Sequence, residues 1–292
     1  MPAGMPDANA LGRACAHLAG TASLELLPGA TDQIPELARL LPAGTRIFVP
    51  HLPGRPLGNG VPTLAALRAA GFEPVAHVAA RRIASRSEFG SFMEAASTAG
   101  VREILALGGD LDPPAGPFKE AADLLAADMI LGTGIGAVHF GAYPDAHPRI
   151  TVAALAASMQ RKFDLAARLG IAARIVTQFS FEPENVAALA RRMPAGSQVR
   201  LGIAGPCAVT TLMRYARLCG VGNSLRAAAN LGTGALQLAG NADPTASLEA
   251  LVAALGTSVA SADGHGLHVY TFGGARRAAA WLSAMSRPRA AP

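Results

Sequence analysis

Cysteine, aromatic residues and long apolar runs are all scarce in this chain. Its 292 residues include three Cys (Cys15, Cys207 and Cys219), and none of them forms a C-x-x-C pair. That excludes a disulfide framework and a Cys-rich zinc site, and fits a reducing cytosol. Aromatic residues make up 5% of the chain, so basic residues are not interleaved with stacking rings. The densest basic run is "ARRIASR" (Ala80–Arg86), and no nucleic-acid groove is expected. No stretch of about 18 residues is free enough of Gly and charge to span a bilayer. The N-terminus lacks the charged and apolar segments of a signal peptide. These absences predict a cytoplasmic protein with no membrane or nucleic-acid partner. They leave room for a homo-oligomer. The net charge of +5 is carried by scattered Arg, which suits an anionic small ligand.

Catalytic signatures are missing too. There is no G-x-S-x-G elbow and no Walker loop. The nearest approach to a dinucleotide fingerprint, "GTGIGA" (Gly132–Ala137), precedes a strand instead of opening a helix. What is present is a repeated alternation. Eight apolar runs read as strands: Ser23–Pro28, Arg46–Leu52, Pro74–Ala80, Glu103–Gly109, Ala137–Pro144, Arg174–Ser180, Gln198–Pro206 and Leu267–Gly274. They are continuous rather than alternating, as strands buried on both faces are. A helical pattern follows each one, and Gly71, Gly100, Gly170 and Gly220 stand where helix caps belong.

Eight βα units predict an α/β fold, a (β/α)8 TIM barrel. Extra helices are expected between strands 7 and 8, where "VGNSLRAAANLGTGALQLAG" and "PTASLEALVAALG" lengthen the connection. Residues 1–20 read as an N-terminal arm or leading helix, and residues 21–292 as one catalytic domain.

In such barrels, polar residues at the carboxyl ends of strands usually serve the site. Glu25 lies in the apolar first strand. It is either a rim charge or a carboxyl in a dry pocket with a raised pKa, fit to be a general acid. Asp110 ends the fourth strand after Gly108 and Gly109, which let backbone approach a flat ligand. The plain alternative is a turn Asp. "GAYPDAHP" (Gly141–Pro148) follows the fifth strand. Tyr143 offers a stacking face and His147 a donor or acceptor, while Pro144 and Pro148 stiffen the loop. Asp145 and His147 supply at most two metal ligands, so no metal site is expected. Gln178 ends the sixth strand, either as a capping amide or as a reader of a heterocycle's edge. His77, in the third strand, is a core or site residue, and Lys162 lies on the helix after GAYPDAHP. No nucleophile–base pair appears, which points to chemistry carried by a cofactor.

Five segments together resemble the methylenetetrahydrofolate reductase family: "SLELLP", "LALGGDL", "AYPDAHP", "TQFSF" and "HVYT". They occur in the family's order, each at a strand end, from Ser23 to Met285. The resemblance implies a flavin-dependent barrel. It would interconvert 5,10-methylenetetrahydrofolate and 5-methyltetrahydrofolate by hydride transfer through FAD, with NADH or NADPH as electron donor. It implies Glu25 as the catalytic acid and Asp110 and Gln178 as folate contacts. It implies His77, Gly109, Asp110, Tyr143, His147 and Lys162 as flavin contacts. The chain also departs from the family. Gly108 stands where "L-R-G-D" often places an Arg that helps hold the flavin. "VPHLPGRPLGNG" replaces the usual second-strand segment, and Leu155 or Ala156 stands near a customary Asp. Two other readings follow from these departures. One is a flavin-independent folate-binding or methyl-transferring barrel, and the other is oxidation of methyltetrahydrofolate in one-carbon catabolism.

Overall fold

The computed structural model describes residues 8–145, 147, 149–194, 196–218, 221, 241–257 and 264–287. Helix α1 (Ala8–Gly20) leads into β1 (Ser23–Glu25). Then come α2 (Ile34–Leu40), β2 (Arg46–Val49), α3 (Val61–Ala69), β3 (Glu73–Ala79), α4 (Arg86–Thr98), β4 (Glu103–Leu107) and α5 (Ala121–Ala126). They are followed by β5 (Ala137–Ala142), α6 (Val152–Arg168), β6 (Ala172–Thr177), α7 (Pro183–Arg192) and β7 (Gln198–Ala204). The order ends with β8 (Cys207–Ala208), α8 (Val209–Leu218), β9 (Asn241–Ala242), α9 (Thr245–Leu255), β10 (His265–Tyr270) and α10 (Ala275–Met285).

Eight strands close a barrel in the order β1-β2-β3-β4-β5-β6-β7-β10, with β10 returning to β1. The ladders run parallel: Ser23 faces His268, Val75 faces Glu103, and Leu105 faces both His77 and His139. This is the (β/α)8 barrel that the alternation of runs predicts. β8 and β9 form a separate antiparallel pair. Of the expected helices between the last two barrel strands, the second half is α9; "VGNSLRAAANLGTGALQLAG" lies outside the described residues except for Val221.

Most strands stop short of the apolar runs that announce them. β2 ends directly before Pro50, since proline has no N–H for the ladder, and β1, β5 and β7 end a little ahead of Pro28, Pro144 and Pro206. β4 ends before Gly108 and Gly109. The freed residues form the turns beyond the carboxyl ends. Helices α3, α4 and α6 end as expected at Gly71, Gly100 and Gly170, each with positive φ. The next residue in each case donates back into the last helical turn (Phe72 to Leu67, Val101 to Ala96, Ile171 to Ala166). Gly220 lies outside the described residues.

The chain forms two compact units. One comprises Glu25–Gly141 and Arg149–Ile175. Its core is apolar and includes Phe48, Phe72, Phe89, Phe118 and Phe140, all fully buried. At the amino ends of its strands, Glu103 is buried among Arg46, His139 and Arg174. It bonds Arg46 Nε at 2.8 Å and His139 Nε2 at 2.7 Å, and also pairs with Arg174 Nη1. The other unit comprises Met1–Leu24, Ala142–Pro148 and Val176–Pro292. There Phe179, Cys207, Leu212, Ala216 and Val221 pack with Phe181, Tyr270 and Phe272. Within it Ser23 Oγ lies 2.9 Å from His268 Nδ1, and the Tyr270 hydroxyl donates to the Thr177 carbonyl at 2.9 Å.

Candidate active site

Each sequence-predicted site residue stands at or beyond the carboxyl half of a barrel strand, or on α6. In the unit built from Glu25–Gly141 and Arg149–Ile175, Glu25 is the last residue of β1. Burial raises its carboxyl from the ordinary value of 4.5 to about 7, so near neutrality it holds a proton as often as not.

His77 sits on β3, its ring edge-on to Phe48 at 5.8 Å between centroids. Burial, aided by the neighbouring His139 and His51, lowers it to about 3, which keeps the ring neutral. Its Nε2 is buried without a hydrogen-bond partner, as is Nδ1 of His51. Both residues line a shallow cleft with room for little more than a water, together with Val49, Asn59, Ala76 and Phe92. A buried ring nitrogen left unsatisfied costs about 1–3 kcal/mol.

Gly108, Gly109 and Asp110 follow β4. Gly109 has φ +90°, a conformation that side chains resist, and a Cβ added at Gly108 meets no heavy atom within 4 Å. The turn is open on that side. Asp110 is largely exposed, but its Oδ1 accepts two bonds from Arg82, from Nε at 3.0 Å and from Nη2 at 2.6 Å. Partial burial pushes the Asp110 carboxyl up, and the Arg82 guanidinium outweighs this, holding it below the usual range. Arg82 Nη1 also donates to the His51 carbonyl. Arg81 mirrors this arrangement, with Nε on the Leu111 carbonyl at 2.6 Å and Nη2 on Asp112 at 2.7 Å.

Lys162 is half-buried on α6, a helix opened by the Thr151 side chain accepting from Ala154 N. Its ammonium lies over the Phe140 ring, 5.8 Å from the centroid. Burial lowers its pKa, and the charge of Glu120 partly offsets this. Glu120 itself is paired with Arg161. Lys162 is thus a desolvated cation whose nearby carboxylate is already engaged.

In the other unit, Tyr143 and His147 meet edge to face at 4.8 Å, which makes the two predicted rings of GAYPDAHP one cluster. Asp145 is tied to neighbouring side chains. Its Oδ1 accepts from Ser180 Oγ at 2.8 Å and Asn185 Nδ2 at 3.1 Å, bracing the loop after β5 against the loop after β6. Gln178 is fixed on the same side. Its N–H donates to Ala142 O at 2.8 Å, and its Oε1 accepts from Phe179 N at 3.0 Å. One carbonyl lone pair therefore caps backbone. Pro148 lies outside the described residues. Among the described residues there is no group of three or more potential metal ligands, and no helix is long and apolar enough to cross a membrane.

Sequence reasoning passed over Arg81, Arg82 and the Asp145–Ser180–Asn185 brace. "ARRIASR" carried the signal for the first pair, but a basic run does not say which strand loop it will reach.

Over residues 63–278 the chain matches the family described as methylenetetrahydrofolate reductase. The chain belongs to the methylenetetrahydrofolate reductase family. Membership makes it a folate-related oxidoreductase by kinship. The matched span contains Asp110, Tyr143, His147, Lys162 and Gln178; Glu25 precedes it and rests on its own motif and environment. The chain is also similar to solved structures of a mutant tryptophan synthase α-subunit from Pyrococcus furiosus and of D-psicose 3-epimerase from Clostridium cellulolyticum. Identity to the first is 13%, with TM-score 0.48 and coverage of 91% of this chain and 96% of that one. Identity to the second is 8%, with TM-score 0.40 and coverage of 91% and 95%. Such likenesses say nothing of activity.

Methylenetetrahydrofolate reductases imply a flavin, and the residues present fit one in three respects. The His77 Nε2 is a buried polar atom without a hydrogen-bond partner. Gly108 leaves open space beside the turn. Lys162 is a half-buried cation whose nearby Glu120 is also paired with Arg161, which suits a phosphate. The one misfit is Gly108 itself, where the family often carries Arg.

Proposed function

We propose that this chain is a flavin-dependent oxidoreductase that interconverts 5,10-methylenetetrahydrofolate and 5-methyltetrahydrofolate, with NADH or NADPH as electron donor, in the cytoplasm. The observation that carries the reading is Glu25. It is a carboxyl raised to about 7, at the carboxyl end of β1, in a barrel of this family. A bound FAD would supply the hydride-carrying chemistry that no side chain offers.

The protein's own share is orientation, one proton and electrostatics. Protonated Glu25 can donate to a folate nitrogen, so that the methylene bridge opens to an electrophilic iminium on the folate. Asp110 and the Gln178 NH₂ are suited to the donor and acceptor edge of a pterin. His77, Gly109, Tyr143, His147 and Lys162 are assigned to the flavin. His77 and Tyr143 would meet its ring system or ribityl chain, and Lys162 a phosphate.

The visible spectrum of the purified protein tests this directly. A flavin band, native or gained on adding FAD, should bleach with NADH and return with 5,10-methylenetetrahydrofolate. Protein that takes up no flavin sinks the reading. Gly108 favours a second one, a flavin-independent folate-binding or methyl-transferring barrel. Calorimetric binding of 5-methyltetrahydrofolate by flavin-free protein, with no flavin uptake, would establish that alternative. In the same spectrum, bleaching by 5-methyltetrahydrofolate but not by NADH would mark a catabolic direction.

A further inference from the structure

The turn after the fourth strand is met by guanidinium groups from beyond the third. β3 and β4 pair up to Ala79 and Leu107, and the pairing continues one step further, with Arg81 N donating to Gly108 O at 2.9 Å. That contact sets Arg81 and Arg82 level with Gly108–Asp110. The two loops are then tied again, through Ala115 N to the Arg81 carbonyl at 2.8 Å. Arg82 is the more buried partner, its side chain 17% exposed against 70% for Asp110. Three of its nitrogens are engaged, two on Asp110 Oδ1 and one on the His51 carbonyl. A fork held at three points keeps its geometry before any ligand arrives.

We propose that Arg82 is the positioning residue of the flavin-facing turn, placing from β3 a guanidinium on Asp110, beside a position 108 that carries none of its own. The inference rests on the flavin reading above. It goes further in saying where this chain keeps the cation and why Gly108 is tolerated. Without a guanidinium, the Asp110 carboxylate would present an uncompensated negative charge to an electron-rich ring. With Arg82 in place, the turn is nearly neutral and fixed. Arg81, held on Leu111 and Asp112, fastens the same turn from its far side.

The test uses the full chain, freed of flavin, with FAD affinity read from fluorescence quenching on titration. Arg82→Ala should weaken FAD binding about tenfold, the equivalent of about 1.4 kcal/mol. Adding Gly108→Arg to that variant should restore binding to within about threefold of wild type, because position 108 has room for a side chain. A clamp that only tied Arg82 to His51 would not be restored by an Arg at 108. Thermal midpoints of each variant are recorded alongside. If Arg82→Ala does not fold, Arg82→Gln takes its place with the same expectations. Unchanged FAD affinity in the single variant overturns the inference, and so does a weakened single variant that Gly108→Arg fails to rescue. Wild-type protein that takes up no FAD overturns the flavin reading itself, so the two failures are told apart.

Discussion

Glu25 carries the sharpest consequence at the scale of a residue. Its carboxyl is raised by burial to about 7, so the acid form needed for the folate step is lost as pH rises through that value. The folate half-reaction should therefore fall above about pH 7, while flavin reduction by NADH should not follow the same limb. Glu25→Gln should slow the folate half-reaction by about 10²–10⁴-fold and leave flavin reduction intact. Stopped-flow spectra of the two half-reactions check this, and equal loss of both would remove the acid role. The same shift has a stability sign. A carboxyl raised on folding favours the native state below its unfolded value and disfavours it as pH climbs through the folded one. At pH 8 Glu25→Gln should thus be the more stable protein, by up to about 3 kcal/mol. At pH 4 the two should melt together.

Among the elements, β2, β4, β5 and β6 are joined at their amino ends by Glu103. Burial pushes its carboxyl up. The bonds from His139, Arg46 and Arg174 outweigh that and hold it well below the usual carboxylate range. Such a group contributes stability above about pH 4.5, and the contribution is lost as pH falls. Glu103→Gln would leave two part-buried guanidinium groups without their carboxylate. It should lower stability by about 3 kcal/mol near neutrality, a difference that shrinks as the medium is acidified. Urea titrations carried from pH 7 down to about pH 2 follow the decline, most of which falls below pH 4. A gap independent of pH would mean that the charge of Glu103 is not what counts. Glu103 and Arg46 lie at the strand starts, whereas Glu25, Asp110 and Gln178 lie at or beyond the strand ends. The split agrees with the general division of such barrels into a stabilising face and a catalytic face.

For the molecule as a whole, a ligand bound only by the folded state raises its stability by mass action. FAD at about one hundred times its dissociation constant should add about 2.7 kcal/mol, read as a rise in thermal midpoint that scales with the logarithm of FAD concentration. A midpoint indifferent to FAD, in protein that folds normally, would count against the flavin reading. The barrel itself was legible in the chain. The eight apolar runs are each long enough for a strand and too short for a helix, and Gly or Pro punctuates each one. The strand ends were less legible, because a run that is still apolar can leave the ladder once a Pro or a Gly pair arrives, as at Pro28 and Gly108.

Sequence alone determined the alternation of strands and helices, the family resemblance and the cast of strand-end residues. These are properties of local pattern and of residue type, which survive without knowledge of neighbours. The tertiary structure decided what each polar group meets. It sends Asp145 to Ser180 and Asn185, turns the Gln178 carbonyl onto Phe179, raises the Glu25 carboxyl by burial, and carries Arg82 from one strand's exit to Asp110 on the next. Contacts between residues 28 to 40 positions apart depend on strand register and loop closure. No window of neighbouring residues encodes these.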